Sequence, residues 1–166
     1  MNGFRILQQR LRKEGWYVDW NLPCCQSCAW SCLPFEHEEG PCKGKEVDFH
    51  KVLFNHSQDC EVECDWVTCL NCGGEGEIEE EICTECDGDC DIKQIPEDDD
   101  YDMTQADIGF VCFTPEQQTS SMFCFGGDSK GVENLKAILP IIEECGCTWH
   151  WDQTGKQRIE ISWELK

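Results

Sequence analysis

Four cysteines set the tightest limit on how this chain can fold. Cys69-Leu70-Asn71-Cys72 and Cys83-Thr84-Glu85-Cys86 are two Cys-x-x-Cys knuckles with ten residues between them. Each knuckle can set two thiolates on one side of a tight turn. Two knuckles that face each other make the tetrahedral sulfur cage that zinc prefers. Glycines follow each knuckle, at Gly73, Gly74 and Gly76 and again at Gly88, where a turn needs backbone freedom. The spacing is short enough for a hairpin to bring the two pairs together. It assigns Cys69, Cys72, Cys83 and Cys86 to one zinc ion.

The rest of the composition says where such a module sits. Sixteen of the 166 residues are cysteine, a density that means disulfides or metal. Met1-Asn2-Gly3-Phe4 leads straight into a charged helical pattern with no secretory signal. No apolar stretch approaches the roughly 20 residues of a membrane span. A reducing cytoplasm is therefore expected, where paired cysteines bind zinc more often than they form disulfides. The formal net charge is -21. That charge is concentrated: residues 61–102 hold 17 of the 34 acidic residues and one base, Lys93. A four-thiolate zinc site adds about two more negative charges. Such a surface repels nucleic-acid backbones and membranes and suits a basic protein partner.

Hydrophobic periodicity places this segment inside a second, ordinary domain. Residues 3–15 predict a helix with Phe4, Leu7 and Leu11 on one face and Gly15 as its stop. Its basic residues, Arg5, Arg10, Arg12 and Lys13, read as a solvated face. Residues 16–20 and 47–56 predict strands, and 33–46 a loop. Residues 60–102 predict an acidic, Cys-rich zinc-binding insertion, whose end, from Pro96 to Asp102, has the composition of a linker. Strands are expected again at 108–114 and 121–125. Gly126-Gly127-Asp128-Ser129 then caps a helix carrying Val132, Leu135, Ile138, Leu139 and Ile142, with a kink at Pro140 and a stop at Gly146. A hairpin of 147–151 and 158–165 closes the chain. In it Ile159, Ile161 and Trp163 face inward, and Arg158, Glu160, Ser162 and Glu164 face water. The layout is α+β: two helices on a mostly antiparallel sheet built from 1–59 and 107–166, with a zinc-knuckle hairpin inserted.

A second cluster of ligand-type residues lies in the first half. Cys24-Cys25-Gln26-Ser27-Cys28 is followed by Cys32, Cys42, Cys60 and Cys64, with His37 and His56 nearby. Cys24, Cys25, Cys28 and His56 are the candidate ligands of a second zinc, with Cys60-x-x-x-Cys64 as an alternative half-site. Spacing alone does not partition them. A thioredoxin-like reading of Cys25-x-x-Cys28 needs a βαβ unit that the downstream pattern lacks. A cysteine-protease reading fails on residue order.

Two resemblances accompany these residues. Cys69 to Gly76 and Cys83 to Cys90 resemble two of the four Cys-x-x-Cys-x-Gly-x-Gly repeats of the DnaJ-type chaperone zinc domain, with Cys90 where the last glycine should stand. No His-Pro-Asp motif accompanies them, so no J-domain is implied. The frame is similar to a bacterial family of unknown function, through Gly15-Trp16, Cys24-Cys25-Gln26-Ser27-Cys28, Phe54-Asn55-His56-Ser57-Gln58-Asp59, the helix near 130–145 and Arg158-Ile159. Ala29 replaces that family's usual glycine. The resemblance implies that Cys24, Cys25, Cys28, His56 and Asp59 form one spatial cluster, and it implies no activity.

These readings converge on a zinc-binding, acidic, non-enzymatic protein that presents a stapled arm to a basic protein surface. One alternative is an inhibitor that imitates nucleic acid and acts on a DNA-binding or defence protein. Another is a thiol oxidoreductase or metal hydrolase at the Cys24–Cys28 and His56 cluster, with Glu36, Glu38 or Asp59 as a base. No spacing selects a catalytic residue.

Overall fold

The computed structural model describes residues 1–23, 25–59, 61–68, 77–78, 81–82, 91–94 and 108–165. In chain order they form α1 (Gly3–Lys13), β1 (Tyr17–Leu22), α2 (Gln26–Ser31), β2 (Val52–His56), β3 (Glu61–Thr68), β4 (Glu77–Ile78) and β5 (Glu81–Ile82). The series continues with β6 (Asp91–Gln94), β7 (Ile108–Cys112), β8 (Ser120–Phe123), α3 (Ser129–Glu144), β9 (Cys147–His150) and β10 (Ile159–Trp163). The chain divides into two compact units, one from Met1–Cys60 with Phe113–Lys166 and the other from Glu61–Cys112. The fold is α+β.

In the first unit, α1 forms where the sequence asks for it. The Asn2 side chain accepts a hydrogen bond from the Arg5 amide, capping the N-terminus. At the other end Gly15 takes φ +84°, and the Gly15 and Trp16 amides donate to the Arg12 and Leu11 carbonyls. This is the paired closure that a left-handed glycine permits. The buried face, Phe4, Leu7 and Leu11, joins Leu135, Ile138 and Ile142 of α3 and Phe123, Ile159, Ile161 and Trp163 of the sheet in one core. Asp128 caps α3 by accepting from the Gly131 amide at 2.8 Å, and the helix continues through Pro140 to Glu144.

The sheet departs from the expected pattern in three places. β10 pairs antiparallel with both β8 and β9, but β1 and β2 run parallel. The connection from residue 23 to residue 51 is long enough for the crossover a parallel pair requires. It contains α2, a third helix, whose six residues bury only Ala29 and are too few to show a helical period. β2 also starts later than expected, at Val52. Asp48 turns the chain first: its carbonyl accepts from the Lys51 amide and its carboxylate from the His50 amide, the local bonding that makes Asp a turn former. All five residues of β2 are buried. Leu53 enters the large core, while Val52 and Phe54 enter a smaller one with Ala29, Leu33 and Val47.

In the second unit β3 is the central strand, antiparallel to β6 on one side and β7 on the other. β4 and β5 form a separate antiparallel pair. Among the described residues no helix is long and apolar enough to cross a membrane.

Candidate functional site

The end of β2 carries a buried polar cluster. Phe54 bridges Cys124, with the Cys124 amide donating to the Phe54 carbonyl at 2.7 Å. The β8–β10 ladder pairs Phe123 with Ile159. One step further along, that register brings Arg158 alongside Cys124. The short turn Ser57–Asp59 after β2 folds Asp59 back, and its Oδ2 accepts from the His56 amide at 3.2 Å. Arg158 Nη1 then donates to Asp59 Oδ1 at 2.8 Å and Oδ2 at 2.7 Å. The same nitrogen lies 3.1 Å from His56 Nε2. The side chains of His56 and Asp59 are 6% and 8% exposed and that of Arg158 28%.

Electrostatics hold this cluster ionised at the arginine. Burial alone would lower the Arg158 pKa, but the hydrogen bond and charge of Asp59 outweigh it and raise it above the ordinary arginine value. Burial pushes the Cys124 thiol up, against the neighbouring guanidinium. With Arg158 donating to Nε2, a neutral His56 carries its proton on Nδ1. To ligate a metal through Nδ1 the ring must instead direct an Nε2 proton at Asp59 Oδ2, 3.4 Å away. That is the carboxylate–histidine arrangement common behind metal sites, and it requires Arg158 to release Nε2.

The cysteine motif starts beside this cluster. Leu22 pairs with His56, and Ser57 Oγ donates to the Leu22 carbonyl at 3.3 Å. The chain leaves β1 there and enters α2, with Cys25 at the N-cap, Cys28 in the first turn and Cys32 at the C-cap. Of the residues expected to cluster, His56 and Asp59 are in direct contact. Among the described residues no group of three or more His, Cys, Asp and Glu is arranged to hold a metal. Cys24, Cys60, Cys90 and the knuckle cysteines Cys69, Cys72, Cys83 and Cys86 lie outside the described residues, as does the expected linker at 96–102. Cys64 lies on β3, opposite Gly109 of β7. Glu36 forms an isolated antiparallel β-bridge with Glu46.

Two members of the cluster were not legible as such. Strand alternation assigns Arg158 to the wet face, yet it turns onto a buried carboxylate 99 residues away. The signal available was the resemblance, which quotes Asp59 in one motif and Arg158 in another. Cys124 carried no signal beyond its place at the end of an apolar strand.

The described thiols differ sharply in environment. Burial pushes Cys147 up to about 12, with Cys145 adding to the effect, and it raises Cys145 too. Cys32 is exposed. Because the thiolate is the nucleophile, brief treatment of the native protein with iodoacetamide is expected to alkylate Cys32 and spare Cys124, Cys145 and Cys147. Peptide mass spectrometry reads the result. Equal labelling of Cys147 and Cys32 would contradict the buried placement.

The chain matches no family model, no curated protein and no solved structure.

Proposed function

We propose that this chain is a zinc-binding, acidic protein-interaction protein with no reaction of its own, whose second unit is the stapled arm. The supporting observation is the nesting of two ladders. Thr68 of β3 pairs with Asp91 of β6, and further in, Glu77 of β4 pairs with Ile82 of β5. In the sequence Cys69 and Cys72 stand between β3 and β4, and Cys83 and Cys86 between β5 and β6. A nested hairpin of this kind supports the facing of two Cys-x-x-Cys pairs that a tetrahedral thiolate site needs. The local charge, 17 acids against one base over residues 61–102, supports a basic partner.

The test separates a folded arm from a mere polyanion. The full zinc-loaded chain is titrated with a lysine-rich peptide, then again after chelation. Chelation changes the net charge by only about two, so a purely electrostatic contact keeps its affinity. The stapled-arm reading expects a loss of about tenfold or more, matched by Cys69→Ser. Unchanged affinity after chelation overturns it. Competition by duplex DNA for a DNA-binding protein would instead favour the nucleic-acid-mimicking reading, which the same acidic charge supports.

A further inference from the structure

The first unit has a cavity of about 150 Å³ between α1, β1 and the loop that follows α2. Its polar lining is Arg12, Tyr17, Asp19, His37, Glu38 and Glu39. The loop wall is built in by main-chain bonds. The His37 amide donates to the Lys45 carbonyl and the Gly44 amide to the His37 carbonyl, both at 2.9 Å, and the Val47 amide to the Phe35 carbonyl at 3.0 Å. Gly40 and Gly44, at φ +75° and +76°, allow the loop to reverse.

His37 is the unexplained group. It is 8% exposed and lines the cavity. Its ring lies 6.2 Å from that of Tyr17. Among the described residues its imidazole makes no hydrogen bond. Its ring nitrogens are not sealed from solvent, so a donor placed in the cavity can reach them.

The neighbouring charges decide which donor. Asp19, Glu38 and Glu39 supply three carboxylates against one guanidinium. That guanidinium is already committed: Arg12 Nε and Nη2 donate to the Val18 carbonyl at 3.2 and 2.8 Å, and Nη1 lies 3.7 Å from Glu39. It has little left for an anion. Tyr17 is held neutral by burial and by Asp19, to which its hydroxyl donates at 2.8 Å. The carboxylates, His37 and Cys42 are not arranged to hold a metal ion. The volume is about half that of the smallest drug-sized pockets, which suits a head group and not a whole cofactor.

We propose that this cavity binds an alkylammonium group, with His37 and the surrounding carboxylates as acceptors. A lysine side chain of the basic partner proposed above and a free polyamine share that chemistry. The inference deepens the interaction role but is tested without zinc, because every lining residue belongs to the first unit.

The full-length protein is titrated with n-butylammonium and, as a control of similar size, butyrate. Chemical shifts of His37, Tyr17 and Val18 are followed by NMR. Saturable shifts with butylammonium and none with butyrate are expected, and His37→Phe, which keeps a ring beside Tyr17, should weaken binding about tenfold. Glu38→Gln with Glu39→Gln, at surface positions that leave the fold intact, should weaken it similarly. An octapeptide with one lysine that binds more tightly than butylammonium identifies a partner side chain as the source; spermidine binding more tightly than both identifies a polyamine. No saturation up to roughly 100 mM, equal binding of butyrate, or unaltered binding in both variants overturns the proposal. A chelated chain that still binds butylammonium while the lysine-rich peptide keeps its full affinity would contradict the zinc reading alone.

Discussion

Replacing Asp59 with alanine is expected to destabilise the first unit by about 3 kcal/mol. The carboxylate is 8% exposed and takes two hydrogen bonds from one nitrogen of Arg158, at 2.8 and 2.7 Å. It also accepts from the His56 amide. Its removal strands a guanidinium, which is far more costly than losing an exposed pair worth about 0–1 kcal/mol. The loss stays at the low end for a broken buried pair because Arg158 remains 28% exposed and water can partly replace the lost partner. Asp59→Asn keeps an acceptor and should lose less. The double variant Asp59→Ala with Arg158→Met should recover part of the loss, since two matched removals leave no charge behind. Urea unfolding followed by tryptophan fluorescence measures all three. A single variant with an unchanged midpoint, or a double variant worse than the sum, would show that the pair does not hold the β2 end to β10.

Phe4→Ala is expected to cost more, about 4 kcal/mol. Phe4 is fully buried, with ring centroids 5.4 Å from Trp20, 5.1 Å from Phe123 and 5.0 Å from Trp163. Deleting it opens a void that three large aromatics and a helix backbone cannot collapse to fill, and it also forfeits the ring–ring contacts. Against a total stability of about 5–15 kcal/mol for a small domain, this variant is near the limit of folding. Arg5→Ala, one residue on, is the internal control. Its bond to Glu116 at 2.8 Å joins side chains that are 34% and 54% exposed, so the loss should stay below about 1 kcal/mol. Similar losses for the two variants would mean that α1 is not anchored through Phe4.

These two predictions mark how far the sequence could be read. Phe4 belongs to a local pattern: Phe4, Leu7 and Leu11 repeat at helical spacing, and Gly15 closes the helix. The same holds for the alternation of Ile159, Ile161 and Trp163 and for the Asp128 cap, all of which depend on neighbours a few residues away. The Asp59–Arg158 pair is different in kind. It depends on the Phe54–Cys124 bridge and the β8–β10 register, neither of which leaves a periodic trace. The parallel pairing of β1 with β2 was hidden for the same reason, because parallel strands require a crossover whose course is set by tertiary packing. Of the cysteine cluster, the contact of His56 with Asp59 was expected only through the resemblance, and the short turn Ser57–Asp59 brings it about. The arginine that governs the His56 proton lay on a strand face that alternation assigned to water. His37 was visible only as one of several possible ligands, since nothing in a loop sequence tells that its imidazole will be buried and left without a hydrogen bond.

The central claim is that the acidic arm is held by zinc. Elemental analysis of the native protein, with the metal-to-chain ratio determined for the parent chain and for Cys72→Ser with Cys83→Ser, tests it most directly. The account predicts at least one zinc per chain in the parent and the loss of one in the double variant. A second zinc surviving that change would belong to Cys24, Cys25, Cys28 and His56; a ratio of one in the parent would leave those cysteines as thiols. A parent chain without zinc, its knuckle cysteines joined as disulfides, would contradict the account.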